Sequence, residues 1–157
     1  MPTSHPKIIT PVVSQILNLQ PKSVLDIGVG YGKWGALTRE YTDIWAWRFY
    51  RPEWIVTIHG IEIHSRYRSA NWDHYNQVYI GNSSDVLPRL GSYDLIIMME
   101  MLEHVEKPAA LKLLENIFKH TSTLIVSYSN TPQKNVRDNP FEDHISTWRN
   151  EEFLAFG

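Results

Sequence analysis

Two glutamates and a histidine follow an apolar run in this sequence. Glu100, Glu103 and His104 are spaced i, i+3 and i+4, so a helical turn would place them on one face. Carboxylate and imidazole groups together suit Mg²⁺, Mn²⁺ or Zn²⁺. His144 is a candidate fourth ligand, because it lies in a loop after the next apolar run. Without a metal, His104 is a candidate general base. Alternatively, Glu103 and His104 only cap the segment that follows them.

A glycine-rich turn forms a second group. Asp26 lies near the end of an apolar run, and Gly28, Gly30 and Gly32 follow at alternate positions. Residues 23–27 predict a buried strand and residues 34–41 a helix, which is the start of a nucleotide-binding βα unit. Glycine allows both a sharp turn and a close approach to a ligand. The same pattern also fits a tight turn without a ligand.

Two further polar sites follow predicted strands. Residues 55–63 predict a second strand with Glu62 near its end, where a carboxylate can accept both hydroxyls of a ribose. The alternative for Glu62 is a surface carboxylate. Residues 77–80 predict a third strand, and a turn rich in small polar residues follows it, Gly81 to Pro88.

The sequence D-x-G-x-G-x-G from Asp26 to Gly32 resembles motif I of the class I S-adenosylmethionine-dependent methyltransferases. The resemblance implies that the glycine loop passes under the amino-acid end of the cofactor, with Asp26 near the ammonium group and Glu62 on the ribose. The turn after Gly81 is similar to the family's adenine-side loop, although Asn82 stands where aspartate is usual. The cofactor contacts so implied are Asp26, Gly28, Gly30, Gly32, Glu62, Ser83, Ser84, Asp85 and Glu100.

Residues 99–105, M-E-M-L-E-H-V, look like the matching segment of ubiquinone-biosynthesis O-methyltransferases. E-x-x-E-H with a later histidine before an aromatic residue is also similar to the small-RNA 2′-O-methyltransferases. That resemblance implies a metal held by Glu100, Glu103, His104 and His144. L-E-H-V also occurs in methyltransferases that need no metal. In either case the acceptor hydroxyl is expected beside Glu100 and His104, the predicted catalytic residues.

The predicted elements alternate between strand and helix. A helix from Thr10, a helix within residues 65–75, a strand at 93–99, a helix at 109–120 and a strand at 123–127 complete the series. This order predicts an α/β, Rossmann-like, doubly wound parallel sheet with helices on both faces. The sequence reads as one domain, residues 1–157. The family normally adds two more strands, so we expect either a minimal sheet or a piece of a longer protein.

Composition limits the possible functions. The net charge of −2 does not favour nucleic acid as a partner, and the absence of cysteine excludes disulfides and thiolate metal sites. No run is long enough to span a bilayer and no secretory signal is evident, so we expect a cytoplasmic protein. An aromatic-rich stretch, residues 45–54, is expected to pack on the core. The alternatives are a wall of the acceptor site or a partner surface.

Together these features predict an S-adenosylmethionine-dependent methyltransferase that acts on a small-molecule hydroxyl. The alternatives are an RNA ribose 2′-O-methyltransferase and a non-catalytic domain that binds the cofactor or a protein partner.

Overall fold

A five-stranded parallel sheet forms the centre of the protein. The computed structural model describes residues 3–134, 136 and 139–156. The strands lie in the order β3-β2-β1-β4-β5, and all neighbours are parallel. Because β1 lies between β2 and β4, the strand order reverses there, and ligands bind such sheets at the carboxyl ends of these strands. The bounds are β1 Ser23–Ile27, β2 Thr57–Glu62, β3 Gln77–Ile80, β4 Leu95–Met99 and β5 Leu124–Ser127.

Helices cover both faces of the sheet, as predicted. They are α1 Ile9–Leu19, α2 Lys33–Arg39, α3 Ser83–Val86 and α4 Lys107–Ile117. Successive strand residues point to opposite faces, so Leu25 packs in the core under α4 while Val24 packs in the core under α1 and α2. In α4 the buried residues recur at helical spacing, Ala110, Leu113, Leu114 and Ile117. This arrangement confirms the predicted Rossmann-like fold.

The connection between β2 and β3 differs from the prediction. It holds no α-helix but two 3₁₀ turns, Ser65–Tyr67 and Ala70–His74. The second turn directs two aromatic residues inward: Trp72 Nε1 donates to the carbonyl of Gly30 at 2.8 Å, and Tyr75 is 2% exposed. These contacts with the glycine loop fix the conformation of the connection. The two 3₁₀ turns therefore stand where the alternation of strands and helices predicted an α-helix.

The aromatic stretch also differs from the prediction. Trp45, Trp47, Phe49 and Tyr50 are all exposed, so the expectation that they pack on the core is wrong. Only Trp54 turns inward, where the guanidinium of Arg39 lies 4.3 Å from its ring centroid. In the part of the chain that is described, no helix is both long enough and apolar enough to cross a bilayer.

Candidate functional site

A cavity of about 380 Å³ lies at the carboxyl ends of the strands. It opens between the glycine loop, the end of β2 and the residues that follow β4. Six of the residues predicted to bind the cofactor line it: Gly28, Gly30, Glu62, Ser83, Ser84 and Glu100. The strand ends therefore gather residues that are distant in sequence into one site.

The glycine loop needs glycine at the positions that line the cavity. Gly28 has φ +87°, and an added Cβ would lie 3.1 Å from Cγ of Met101. Gly30 has φ +53°. Its backbone N–H donates to Oε2 of Glu62 at 2.7 Å, so the loop is tied to the end of β2. A side chain here would both strain the backbone and narrow the cavity.

Glu62 is held in position by backbone hydrogen bonds. Besides the bond from Gly30, the N–H of His64 donates to Oε1 at 2.8 Å. Each carboxylate oxygen therefore keeps one unused lone pair, which suits the two hydroxyls of a ribose. Burial raises the pKa of Glu62, and backbone hydrogen bonds, among them those from His64 and Gly30, act in the opposite direction.

Three of the predicted cofactor residues do not line the cavity. Asp26 lies beneath the glycine loop, 1% exposed, and accepts a hydrogen bond from the hydroxyl of Tyr75 at 2.5 Å. Burial raises the pKa of Asp26 to about 7. Gly32 precedes the first turn of α2 with φ +82°, and Asp85 is exposed on α3. In this structure Asp26 supports the loop from below.

The N-terminal segment closes one side of the cavity, which Thr3 and Ser4 line. Ser4 is buried, its Oγ accepts from Nε1 of Trp34 at 3.0 Å, and its carbonyl accepts from Nζ of Lys33 at 2.5 Å. The N–H of His5 donates to Oε1 of Glu100 at 3.2 Å. Sequence reasoning missed these contacts, because nothing local in a short polar segment indicates a partner 95 residues away.

A second cluster lies beside the cavity. Glu103 and His104 belong to a 3₁₀ turn, Leu102–His104, and His144 comes from the loop after β5. These three residues each offer one ligand atom, and the three atoms lie within 4.8 Å of one another. The centroids of the two imidazole rings are also 4.8 Å apart. A group of this size can surround a single cation.

Backbone carbonyls fix the tautomers of both histidines. Nδ1 of His104 lies 3.0 Å from the carbonyl of Asp143, and Nδ1 of His144 lies 2.5 Å from the carbonyl of Thr131. A carbonyl only accepts, so in the neutral ring each Nδ1 carries the proton and each Nε2 keeps its lone pair. Histidines that bind metals are usually oriented in this way. Burial also lowers the pKa of His104, which favours the neutral ring.

Glu103 brings a buried and partly unsatisfied carboxylate to the cluster. The side chain is fully buried, and Oε1 accepts from the N–H of Ser129 at 2.9 Å. Oε2 has no hydrogen-bond partner among the described residues. Burial raises the pKa of Glu103 to about 7. A cation would satisfy the unpaired oxygen and stabilise the charged form, so the donor set fits a divalent ion.

Glu100 does not join the other three predicted ligands. Its backbone has φ +51°, which turns the chain away from a helical path, and its side chain lines the cofactor cavity instead. The expectation that Glu100, Glu103 and His104 share one helical face is therefore wrong. No α-helix follows β4 directly, because a 3₁₀ turn begins at Leu102 and α4 begins only at Lys107.

The loop that carries His144 is bonded to the turn that carries Glu103. The N–H groups of Ile145 and Ser146 both donate to the carbonyl of Glu103, at 2.8 and 3.1 Å. Trp148 then buries its ring beside them, 1% exposed, with Nζ of Lys107 3.6 Å from the ring centroid. These contacts bring His144 to the site.

Two residues that the sequence did not indicate also line the cavity, the partly buried Tyr67 and the buried Glu142. Tyr67 donates its hydroxyl to Oε1 of Glu142 at 2.5 Å. They are 75 residues apart, and no local pattern connects them.

A family profile described as "Methyltransferase domain" matches residues 6–154. The chain belongs to the class I S-adenosylmethionine-dependent methyltransferases. Among curated proteins, none matches it.

Similar solved structures share this methyltransferase's fold. The methyltransferase domain of bacterial CtHen1-C has 20% identity and a TM-score of 0.58, over 94% of this chain and 78% of that one. A candidate caffeoyl-CoA O-methyltransferase from Staphylococcus aureus has 15% identity and a TM-score of 0.60, over 80% and 58%. Magnesium protoporphyrin IX methyltransferase from Synechocystis, with bound S-adenosylmethionine, has 16% identity and a TM-score of 0.57, over 76% of this chain and 56% of that one. This chain thus spans less than two thirds of the last two.

Proposed function

We propose that this methyltransferase transfers a methyl group to a hydroxyl of a small polar acceptor, with help from a divalent ion. The observation that carries the proposal is the cluster of Glu103, His104 and His144 beside the cofactor cavity. It combines an unpaired buried carboxylate oxygen with two histidines whose Nε2 atoms keep their lone pairs.

The cavity residues would hold S-adenosylmethionine. The loop of Gly28 and Gly30 would lie against the amino-acid end, Glu62 would accept the ribose hydroxyls, and Ser83 and Ser84 would lie near the adenine. Glu100 is assigned to the cofactor side of the site, because its carboxylate lines the cavity and lies outside the three-residue cluster.

The chemistry divides between the bound groups and the chain. S-adenosylmethionine supplies an activated methyl group, and a divalent ion lowers the pKa of a hydroxyl that it binds. The chain orients the acceptor oxygen toward the methyl group. Where no ion is held, Nε2 of His104 accepts the hydroxyl proton. Burial favours the neutral ring, and in that ring Nδ1 donates to the carbonyl of Asp143 while Nε2 keeps its lone pair.

The acceptor is proposed to enter a groove on the other side of His144. This groove has a volume of about 900 Å³ and is lined by hydroxyl, amide and charged side chains. Its wall holds two cations, Lys107 and Arg149, and three carboxylates, Glu106, Glu151 and Glu152. Lys107 is already paired with Glu152 at 2.7 Å. Such a surface suits a neutral, hydroxyl-rich molecule better than a polyanion.

An RNA ribose is the second candidate acceptor. The donor set of one glutamate and two histidines favours it, because it matches three of the four ligands that the resemblance to small-RNA 2′-O-methyltransferases implies. The acidic groove disfavours it. RNA binding depends steeply on salt, whereas binding of a neutral small molecule does not.

Calorimetry tests the cofactor and metal sites separately. S-adenosylmethionine should bind the wild-type protein and should fail to bind Gly30→Arg. Mn²⁺ should give a separate heat that is lost in His144→Ala. The matched control is His120→Ala, because Nδ1 of His120 also lies 3.1 Å from a carbonyl, that of Gly91, but outside the cluster.

Transfer of a labelled methyl group then tests the acceptor class. We expect incorporation into a low-molecular-mass extract with Mn²⁺, with little dependence on salt. Incorporation into RNA that falls steeply with salt would replace the small molecule by the second candidate. Cofactor binding without transfer to either fraction would favour the non-catalytic alternative.

We also propose that residues 1–157 form one domain and that the protein is cytoplasmic, the latter because the sequence has no cysteine.

A further inference from the structure

Residues 45–55, here called the aromatic loop, expose an unusual amount of apolar surface. The exposed fractions are 69% for Trp45, 80% for Trp47, 52% for Phe49, 70% for Tyr50 and 68% for Ile55. At roughly 200 Å² for each large side chain, these fractions correspond to about 700 Å². The largest apolar patch on a typical monomer is about 300–600 Å². The five residues together therefore expose at least as much surface as the largest apolar patch of a typical monomer.

The aromatic loop is held in place at both ends by one buried carboxylate. Asp43 is fully buried and pairs with Arg39. It also accepts from Nε of Arg48 at 2.7 Å and from the N–H groups of Ile55 and Val56 at 3.0 and 3.3 Å. The rings are therefore presented by a bonded scaffold, and their exposure is a property of the fold.

The backbone of the aromatic loop is strained at its most exposed residue. Trp47 has φ +64°, a left-handed conformation that costs a residue with a Cβ roughly 1–2 kcal/mol. The ring meets Phe49 edge to face, with centroids 5.6 Å apart. Strain of this kind is typical of functional positions, because the surrounding structure must enforce it.

The aromatic loop lies at the opposite end of the sheet from the cofactor cavity. It leads into β2 at Thr57, which pairs with Ser23 at the start of β1, whereas the cavity lies at the far ends of these strands. The two sites are separated by the length of a five-residue strand, about 17 Å. A wall of the acceptor site is therefore excluded as the role of this loop.

The charged side chains of the aromatic loop already form bonds within the chain. Arg48 binds Asp43, Nη1 of Arg51 donates to the carbonyl of Asp73 at 2.8 Å, and Oε2 of Glu53 accepts from the N–H of Tyr50 at 2.9 Å. These engaged arginines make a poor site for a polyphosphate backbone, which needs free cations. Charged groups that already bond within their own chain do suit a surface that meets its own copy, because a twofold axis brings identical groups together.

We propose that the aromatic loop is the interface of a twofold homodimer. The exposed surface of these five residues, about 700 Å² on each copy, is close to the roughly 800 Å² per partner that a standard stable interface buries. Aromatic rings also complement themselves, because the positive edge of one ring packs on the negative face of another. In this dimer the two cofactor cavities face away from the interface, because each lies at the opposite end of its sheet from the aromatic loop. The inference does not depend on which acceptor the enzyme methylates.

Sedimentation equilibrium over a wide range of protein concentration tests the dimer. The wild-type chain should move from monomer to dimer, and Trp47→Ser should raise the dissociation constant at least about tenfold, as loss of a central aromatic does at an interface. Trp45→Ser is the second variant. Leu154→Ser is the matched control, because Leu154 is 74% exposed on the 3₁₀ turn Asn150–Ala155, outside the aromatic loop, and it should leave the dissociation constant unchanged.

The results separate the proposal from its competitors. Cofactor binding by Trp47→Ser should equal that of the wild type, which also shows that the variant is folded. A wild-type chain that stays monomeric at every concentration overturns the proposal. So does a dimer whose dissociation constant is the same in both tryptophan variants. Monomers that bind neutral lipid vesicles through this loop would identify a membrane surface as the occupant instead.

Discussion

Replacing Glu103 by glutamine should change how stability depends on pH. The substitution keeps the shape of the side chain and an oxygen that can accept from Ser129, but it removes the charge. In the wild type, burial raises the pKa of Glu103 from 4.5 to about 7. The unfolded chain therefore loses this proton at lower pH than the folded chain does, so the folded state is progressively disfavoured between these two values.

The magnitude follows from the pKa difference. About 2.5 units at 1.36 kcal/mol each give roughly 3 kcal/mol of wild-type stability that is present below pH 4.5 and lost as the pH rises through 7. Glutamine does not titrate, so the variant should gain this amount relative to the wild type across the same interval. In a chain of this size, that corresponds to roughly 6–12 °C in melting temperature.

Urea unfolding at a series of pH values, with a chelator present, measures the effect. The difference in free energy of unfolding between variant and wild type isolates Glu103, since all other groups titrate in both proteins. Asp94→Asn is a control of opposite sign, because hydrogen bonds from the N–H groups of Lys22 and Ser23 lower the pKa of Asp94. That variant should lose stability relative to the wild type above about pH 4.

Addition of Mn²⁺ should make the wild type more stable than Glu103→Gln near neutral pH, which reverses the order expected with a chelator. An ion that binds only the folded wild type stabilises it by RT ln(1 + [Mn²⁺]/Kd), and the variant lacks the carboxylate that binds the ion. Curves for wild type and Glu103→Gln that stay parallel from pH 4.5 to 8 would refute the reasoning, because they would mean that burial does not perturb this carboxyl group.

Three further substitutions test the cofactor site and the fold. Glu62→Gln removes one charged acceptor, so the dissociation constant for S-adenosylmethionine should rise roughly tenfold to a hundredfold in calorimetry. Gly35→Ala would place a Cβ 2.0 Å from the ring of Tyr75, so thermal unfolding should show a loss of more than about 3 kcal/mol. Gln20→Gly should stabilise the chain by about 1 kcal/mol, because Gln20 caps the C-terminus of α1 in the left-handed conformation, with φ +45°.

Local patterns in the sequence predicted the strands, the glycine turn and the family. An apolar run followed by alternating glycines is compatible with few local conformations, because backbone sterics and strand burial both act over a few residues. The same logic located Glu62 at the end of β2, where the structure finds it lining the cavity. The helix predicted between β2 and β3 was wrong, because the long-range contacts of Trp72 and Tyr75 outweigh local periodicity there.

What the sequence determined by itself was the order of elements and the chemical types at the strand ends. Only the tertiary structure decided which of those groups meet. His144 reaches Glu103 because two backbone bonds dock its loop, and Glu100 leaves the cluster because one positive φ redirects its side chain. The aromatic loop is exposed because Asp43 fixes both of its ends. The physical reason is common to all three: side-chain direction depends on dihedral angles and distant hydrogen bonds, which spacing along the chain does not encode.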